Sequence, residues 1–498
     1  MTVTGVGPQS SLIVRALGDM RTQLGDLQRQ LGTGKKSTTY AGLGIERGLA
    51  VSLRGRLSAM DSYADTVAQI GVRMNLQQTA LTRIAVLGST VKGAALTQQF
   101  SIDASGQTST QRGAASQLDE VLGLLNTPAG DRYLFSGRAG DKPATDTLDH
   151  ILNGDGAKAG LKQIIAERNQ ADLGASGLGR LVIPPVVGTQ VSISEEAPPT
   201  VFGMKLASVS TLNGATVTGP TGSPAAITVD VTSNPNPGDA ITLSFTLPDG
   251  TSDKITLTAT TAAPPKAGEF TIGTTPAQTA TNLQASLTTA VGKLAATSLS
   301  AASAMAAADN FFNVGAGQPP LRVSGSPFTA TALTAGTAAN TVTWYTGEMG
   351  TDSARGTAVA RVDDALTVAY GARANEQAIR STIANIAVYA TMTFSTGDPN
   401  AQDRFNEISQ RVSNGLAVPN GQQKIQDIQA EVAFAQTTMK DATQRQQQRK
   451  VTLEDLLQSI EQAPQDEVAA QILALQTRLQ ASLQTTSILY HLSIVNYL

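Results

Sequence analysis

Apolar side chains near both ends of the 498-residue chain recur in alternating steps of three and four. Such steps place the apolar side chains on one narrow stripe of a helix, which is typical of helix-to-helix packing. The stripes therefore predict an N-terminal and a C-terminal helix, with Ser482 and Thr486 as polar gaps in the second stripe. The candidate assembly-interface residues are Ile13, Leu17, Met20, Leu24, Leu27 and Leu31 at one end, and Val468, Ile472, Leu475, Leu479 and Leu489 at the other.

Further helices are predicted by the same spacing between these two ends. Ser109 is a candidate N-cap, because its hydroxyl can accept a hydrogen bond from an unpaired amide of the first turn. Pro464 separates the last helix from the one before it, and four glycines between positions 32 and 44 interrupt the chain after the first. The predicted internal helices cover about residues 45–98, 110–125, 362–389 and 425–460.

The middle of the chain follows a different pattern, in which apolar and polar residues alternate. This period of two predicts strands at residues 227–231, 241–247 and 254–258. Pro248-Asp249-Gly250 lies between the last two strands and predicts a hairpin turn. A short strand near residues 270–272 and a helix over 283–294 are expected to follow. We interpret residues 150–356 as a β-rich insert.

The predicted fold class is α+β, with terminal α-helical coiled-coil domains formed by paired N- and C-terminal segments around a β-rich central insert. An apolar stripe is usually the core of its own domain. A unit made only of the two terminal helices is too small to be stable, so packing against other molecules is the competing hypothesis. The predicted segments are residues 1–44 (N-terminal assembly helix), 45–149 (long helices), 150–356 (surface-exposed insert), 357–463 (long helices) and 464–498 (C-terminal assembly helix).

Composition argues against catalysis. The chain has no cysteine, two histidines, 4% aromatic residues and a formal net charge of −3, so thiolate chemistry and a nucleic-acid footprint are not expected. The carboxylate pairs Asp363-Asp364, Glu195-Glu196 and Glu454-Asp455 are neighbours in sequence, which suits solvated faces better than a cleft. The glycines of residues 32–37 do not have phosphate-loop spacing. We expect no enzyme, and no catalytic, cofactor-binding or metal-binding residues.

The sequence contains no standard signal peptide and no apolar run long enough for a membrane span. These features predict a soluble protein without membrane insertion. A cytoplasmic protein would have them, and so would a protein that leaves the cell by an export route without cleavage.

Several short motifs resemble the bacterial flagellin family. LQRQLGTGKK at residues 27–36 is similar to the end of the family's first helix, and YLFSG at 133–137 is similar to an element of hook–filament junction proteins. YGARANE at 370–376 and the ending over 475–498 also resemble that branch. The likeness covers about the first and last 140 residues, whereas the insert matches no element that informs function.

The resemblance implies a structural subunit of the bacterial flagellum that joins hook to filament. Such proteins leave the cell unfolded through the flagellar type III export channel and lie outside it. Their terminal helices form an inner tube on assembly, the neighbouring long helices form an outer tube, and the insert projects. The implied partners are further copies, other hook-associated proteins, flagellin and an export chaperone. Two alternatives stay open: a filament-forming flagellin, which the large insert favours, and a secreted adhesin whose insert is the binding head.

Overall fold

The computed structural model describes residues 8–315 and 318–495, with side chains for 12–315 and 318–488. It is a mixture of helices and strands, in agreement with the α+β class. No described helix offers an apolar run that could cross a membrane. The helices are α1 (Pro8–Thr33), α2 (Arg47–Leu96), α3 (Ser109–Leu125), α4 (Leu148–Asn153), α5 (Leu161–Leu173), α6 (Pro276–Leu294), α7 (Ser300–Phe312), α8 (Gln377–Thr391), α9 (Ala401–Leu416), α10 (Ile425–Glu461) and α11 (Gln465–Val495).

The strands form two four-stranded sheets and three hairpin-like pairs. They are β1 (Pro128–Ala129), β2 (Arg132–Tyr133), β3 (Leu181–Val182), β4 (Gln190–Glu195), β5 (Lys205–Val209), β6 (Ala215–Thr221), β7 (Ala226–Val231), β8 (Ala240–Thr246), β9 (Ser252–Thr260), β10 (Glu269–Thr271), β11 (Leu321–Val323), β12 (Leu333–Ala335), β13 (Val359–Asp363) and β14 (Leu366–Ala369). The larger sheets have the orders β3-β4-β7-β6 and β10-β9-β8-β5, and the pairs are β1-β2, β11-β12 and β13-β14.

The chain divides into two compact units. The terminal unit comprises Met1–Gln69, Arg361–Thr367 and Thr437–Leu498, and the central unit comprises Ile70–Ala360 and Val368–Gln436. The boundaries therefore fall inside α2, β13, β14 and α10, whereas the sequence division placed the ends of the assembly helices in the connectors near residues 44 and 463. The spacing of apolar residues along a helix does not show where one core ends and the next begins, because the helix packs into both cores with the same three/four spacing.

The central unit has a helical core that includes part of the predicted insert. The alanines of α7 let neighbouring helices approach closely, and the ring centroids of Phe312 and Trp344 lie 5.4 Å apart in an edge-to-face contact. The indole nitrogen of Trp344 donates to the Phe312 carbonyl oxygen over 2.9 Å. Residues before and after the insert enclose these rings in one core cluster, with members that include Leu118, Leu122, Phe135, Ala304, Ala308, Phe311, Tyr345, Ile383, Tyr389 and Phe405.

The two larger sheets and α6 form a second core in the central unit. Strand β7 buries every second side chain, Ile227, Val229 and Val231, as its alternating sequence predicts. Strands β8 and β9 pair antiparallel around the predicted hairpin turn, and β10 pairs parallel with the end of β9. Helix α6 packs Leu283 and Leu287 into the same core, which confirms the predicted helix.

The predicted helix over residues 362–389 is wrong in its first half. Residues there form the β13-β14 pair, and α8 begins only at Gln377. Val362 is buried while Val359 is 60% exposed, so burial alternates as in a strand. The apolar residues at 362 and 366 have helical spacing by coincidence, since a two-residue turn at Asp364 and Ala365 separates them.

The N-cap of α3 is Thr108 rather than Ser109. The Thr108 hydroxyl accepts from the Gln111 amide over 3.2 Å, and the Gln111 side-chain oxygen accepts from the Thr108 amide over 3.0 Å. This reciprocal capping box satisfies two amides at once. Gln111 is also buried and donates to the Tyr389 carbonyl oxygen over 3.0 Å, which binds α3 to α8.

Candidate assembly surface

Helices α1 and α11 of the terminal unit meet along the predicted stripe. Leu27 is 7% exposed and packs in one cluster with Val468, Ile472 and Leu475. Ala463 completes the cluster, and Met20 and Leu24 pack against it. The two stripes at opposite ends of the sequence therefore contact each other within one chain.

The remaining candidate residues differ in how deeply they are buried. Leu31 is 40% exposed and does not belong to the cluster, so the α1–α11 contact does not bury it, and its place in an assembly interface stays a prediction. Leu489 lies in α11, and its side chain is outside the described residues. Within α1, Leu27 is buried, and the candidate residues nearer the start of the helix are only half-buried. The half-buried candidate residues are Ile13, Leu17, Met20, Leu24 and Leu479.

The connectors next to the seam pair with each other through their backbones. Lys35 and Gln462 form an isolated antiparallel bridge, in which the Lys36 amide donates to the Glu461 carbonyl oxygen over 2.8 Å. The Ala463 amide donates to the Gly34 carbonyl oxygen over 3.0 Å. Gly34 has φ of +67°, which a residue with a side chain rarely adopts, and the chain leaves the helix there. The glycine-containing connector after α1 thus forms backbone hydrogen bonds to the connector before α11. The two connectors join the α1–α11 pair to the rest of the terminal unit.

An ion pair that the sequence pattern did not indicate anchors the same connectors. The Arg54 guanidinium lies 2.6 Å from the Glu461 carboxylate and donates to the Tyr40 hydroxyl over 2.8 Å. Its hydrogen bond to Glu461 raises the pKa of Arg54 above the usual value. The Glu461 side chain is only 16% exposed. Nothing in the spacing of these residues signals the pairing, because it joins the beginning of one helix to the end of another that is distant in sequence.

A second set of apolar side chains on α11 faces solvent. Leu473, Leu483 and Ile488 are 66%, 44% and 59% exposed. At roughly 100° per residue, Leu473 and Ile488 lie on the side of the helix away from Val468 and Ile472, whereas Leu483 lies close to the direction of Ile472. Helix α1 likewise exposes Leu12 (62%) and Val14 (67%). We call Leu12, Val14, Leu473 and Ile488 the outer apolar set.

The paired carboxylates are used in local structure. Asp364 accepts a hydrogen bond from the Tyr63 hydroxyl over 3.1 Å, and Asp363 lies 3.5 Å from Arg449. Partial burial and the hydrogen bond to Asp364 raise the pKa of Tyr63. In the central unit, Glu195 accepts from the Leu206 amide over 3.1 Å. Asp363 and Glu195 are therefore half-buried, not solvated as predicted.

Two of the family-like motifs lie side by side in the central unit. The Ala374 amide donates to the Phe135 carbonyl oxygen over 2.8 Å, and the Gly137 amide donates to the Ala372 carbonyl oxygen over 3.2 Å. The guanidinium of the adjacent Arg138 lies 2.7 Å from the Glu348 carboxylate. The motifs at residues 133–137 and 370–376 thus form one antiparallel contact, although more than 200 positions separate them.

Searches against protein-family models and against curated proteins find no match to this chain.

Proposed function

We propose that this chain is a structural subunit of the bacterial flagellum, of the flagellin family, which joins hook to filament through helical self-assembly of its terminal helices. One observation carries the proposal. The α1–α11 pair buries one apolar stripe internally and leaves the outer apolar set, Leu12, Val14, Leu473 and Ile488, exposed to solvent.

A helix that is apolar on two sides needs two partners. One partner of α11 is α1, and in the proposed assembly the second is a neighbouring copy or another axial protein. Each large apolar side chain that becomes fully buried contributes about 1.5–3 kcal/mol. Burial of the outer apolar set against a neighbouring molecule therefore favours assembly, whereas an isolated chain exposes it to water.

The proposal also draws on the contact between the segments at 133–137 and 370–376, whose sequences resemble junction-protein elements. Their pairing gives these residues a common role in holding the central unit together, so the likeness concerns one structural feature rather than two scattered ones. Export without a cleaved signal and an extracellular position follow from the proposed family.

The first experiment changes the outer apolar set. The double variant Leu473→Ser, Ile488→Ser should be secreted and folded, yet absent from flagella purified by shearing. The matched control is Thr477→Ser, Gln484→Ser, which changes two exposed polar positions on the same side of the helix and should assemble normally. Normal flagella from the first variant would contradict assembly through this face.

The filament-forming alternative is distinguished by abundance. If the chain is a junction protein, deleting its gene should release filament subunits into the medium. In the wild-type strain the protein should then be scarce in sheared filaments. A filament flagellin would instead be the dominant band. If motility and filaments are unchanged by the deletion, the adhesin alternative is favoured.

A further inference from the structure

Four asparagines of the chain are followed by a glycine, namely Asn153, Asn213, Asn414 and Asn420. Such a step can lose ammonia without an enzyme, because the backbone amide nitrogen of the glycine can attack the carboxamide carbon of the asparagine. Glycine has no Cβ that would obstruct the approach. The reaction needs a glycine amide that no acceptor engages and a carboxamide that is free to turn toward it. The fold therefore decides which of the four steps react.

Two of the steps are held through the glycine amide. The Gly154 amide donates to the His150 carbonyl oxygen over 3.0 Å, and the Asn153 carboxamide oxygen accepts from the Lys162 ammonium over 2.8 Å. Gly415 lies inside α9, where the helical hydrogen bonds engage its amide. Neither glycine nitrogen can attack without first losing a hydrogen bond.

The third step, Asn213–Gly214, is held through the carboxamide. The Asn213 side chain donates to the Asp239 carboxylate over 3.3 Å, and the Gly214 carbonyl oxygen accepts from the Ser233 amide over 2.9 Å. The attacking form of the glycine nitrogen is an anion, so the negative charge of Asp239 beside it also opposes the reaction.

The fourth step, Asn420–Gly421, lies in the exposed turn between α9 and α10. The Gln422 amide donates to the Pro419 carbonyl oxygen over 3.2 Å, and Gly421 has φ of +84°, as in a type II turn. Among the described residues none accepts a hydrogen bond from the Gly421 amide or the Asn420 carboxamide. Apart from the chain neighbours of Gly421, no heavy atom lies within 4 Å of the position that a Cβ would take there. Both requirements of the reaction are met at this step.

We propose that Asn420 is a site of spontaneous deamidation, with water as the only co-reactant. The Gly421 nitrogen forms a bond to Cγ of Asn420, the bond from Cγ to Nδ2 breaks, and Nδ2 leaves as ammonia with the proton of the Gly421 amide. Water then opens the cyclic imide. Opening at Cγ gives aspartate, whereas opening at the backbone carbonyl carbon gives isoaspartate, whose backbone is longer by one carbon atom. The modification is independent of the function proposed above.

The longer backbone acts on the contact between this connector and α8. The Gln423 side-chain oxygen accepts from the Ala378 amide over 3.3 Å, and the Gln377 side chain donates to the Gln422 side-chain oxygen over 3.0 Å. The Ala378 amide lies in the first turn of α8, where no helical carbonyl can accept it. Isoaspartate at position 420 displaces Gln423 and removes this partner, whereas aspartate there adds only a charge.

The first test ages the full-length protein at mildly alkaline pH, in buffer and in concentrated urea, and follows the four steps by peptide mass spectrometry. In the folded protein Asn420 should convert roughly tenfold faster than Asn153, Asn213 or Asn414, the effect of the hydrogen bonds that hold those steps. In urea all four should convert at similar rates, because the same residue pair reacts in each. Similar rates at all four steps of the folded protein would overturn the proposal, and so would conversion of Asn420 that is much slower in buffer than in urea.

The second test separates the longer backbone from the added charge. A methyltransferase specific for the isoaspartyl carboxylate identifies the modified fraction, and hydrogen exchange at Ala378 is compared in aged protein, fresh protein and freshly prepared Asn420→Asp. Exchange at Ala378 should be faster in the isoaspartyl fraction and unchanged in Asn420→Asp. Equal exchange in the isoaspartyl fraction and in fresh protein would overturn the effect on α8.

Discussion

Individual buried charges hold the central unit together, and Asp172 is the clearest. It is fully buried, accepts from the Gly203 amide over 2.9 Å, and lies 2.8 Å from Arg168. Arg168 also stacks 5.2 Å from the ring centre of Phe202. The carboxylate thus fixes the end of α5 to the chain just before β5.

Asp172→Ala should lower the free energy of unfolding by about 3–5 kcal/mol, because it leaves a buried guanidinium and an amide without their acceptor. Chemical denaturation of the full-length chain measures the change. Asp155→Ala is the matched control, since Asp155 forms an exposed pair with Lys158 and its loss should cost under about 1 kcal/mol. Equal losses in the two variants would show that burial of Asp172 is not what matters.

Tyr345 predicts a response to alkaline pH. It is fully buried, and its hydroxyl has no hydrogen-bond partner among the described residues. Burial raises the pKa of Tyr345 well above the usual value of 10. The neutral form is favoured in the folded state, so this stability is complete below about pH 10 and is lost as pH rises through the folded-state pKa.

Tyr345→Phe should therefore leave stability at pH 7 nearly unchanged and should reduce the loss of stability between pH 9 and about pH 11 by roughly 1.4 kcal/mol. Denaturant titrations at both pH values give the comparison, with Tyr133→Phe at a half-buried tyrosine as the control. If the wild-type chain and Tyr345→Phe lose the same free energy of unfolding over this pH range, the prediction is contradicted.

At the scale of elements, the N-cap of α3 is Ser109 in the sequence-based prediction and Thr108 in the structure. Thr108→Ala should destabilise the chain by about 1 kcal/mol, since it removes the acceptor of the first-turn amide. Ser109→Ala should have almost no effect, because Ser109 is exposed and inside the helix. Thermal unfolding of the two variants decides between them, and a larger effect at Ser109 would restore the original assignment.

Sequence periodicity predicted those elements whose burial follows a single pattern. The alternation at residues 227–231 and the three/four steps around Leu27 and Val468 each reflect one buried face. Periodicity failed at residues 359–369, where a tight turn joins two short strands and places their apolar residues at helical spacing. It also missed Arg54 and Glu461, because an ion pair between distant segments leaves no local pattern.

At the scale of the whole molecule, the predicted insert is not a separable module. Helix α7 and Trp344 belong to the same core as α3 and α8, so removing residues 150–356 takes away part of that core. This sharing could not be inferred from composition, since alanine-rich helices resemble the surrounding alanine- and threonine-rich chain.

Deleting residues 150–356 should therefore abolish cooperative unfolding of the central unit. Replacing only residues 181–294 with a flexible glycine–serine linker retains α7 and should preserve a cooperative transition at lower temperature. Differential scanning calorimetry distinguishes the two deletions. A sharp transition in the larger deletion would mean that the remaining helices form a sufficient core.

The bridge between the connectors has a consequence for the order of folding. The Lys36 ammonium donates to the Ser459 carbonyl oxygen across 423 positions of sequence. Closing a loop of that length in an unfolded chain costs about 5 kcal/mol of entropy, more than one short bridge returns. Folding of the intervening residues shortens the effective loop, so the terminal pair should close late. Its loss should be an early and reversible step in unfolding, leaving the central unit intact.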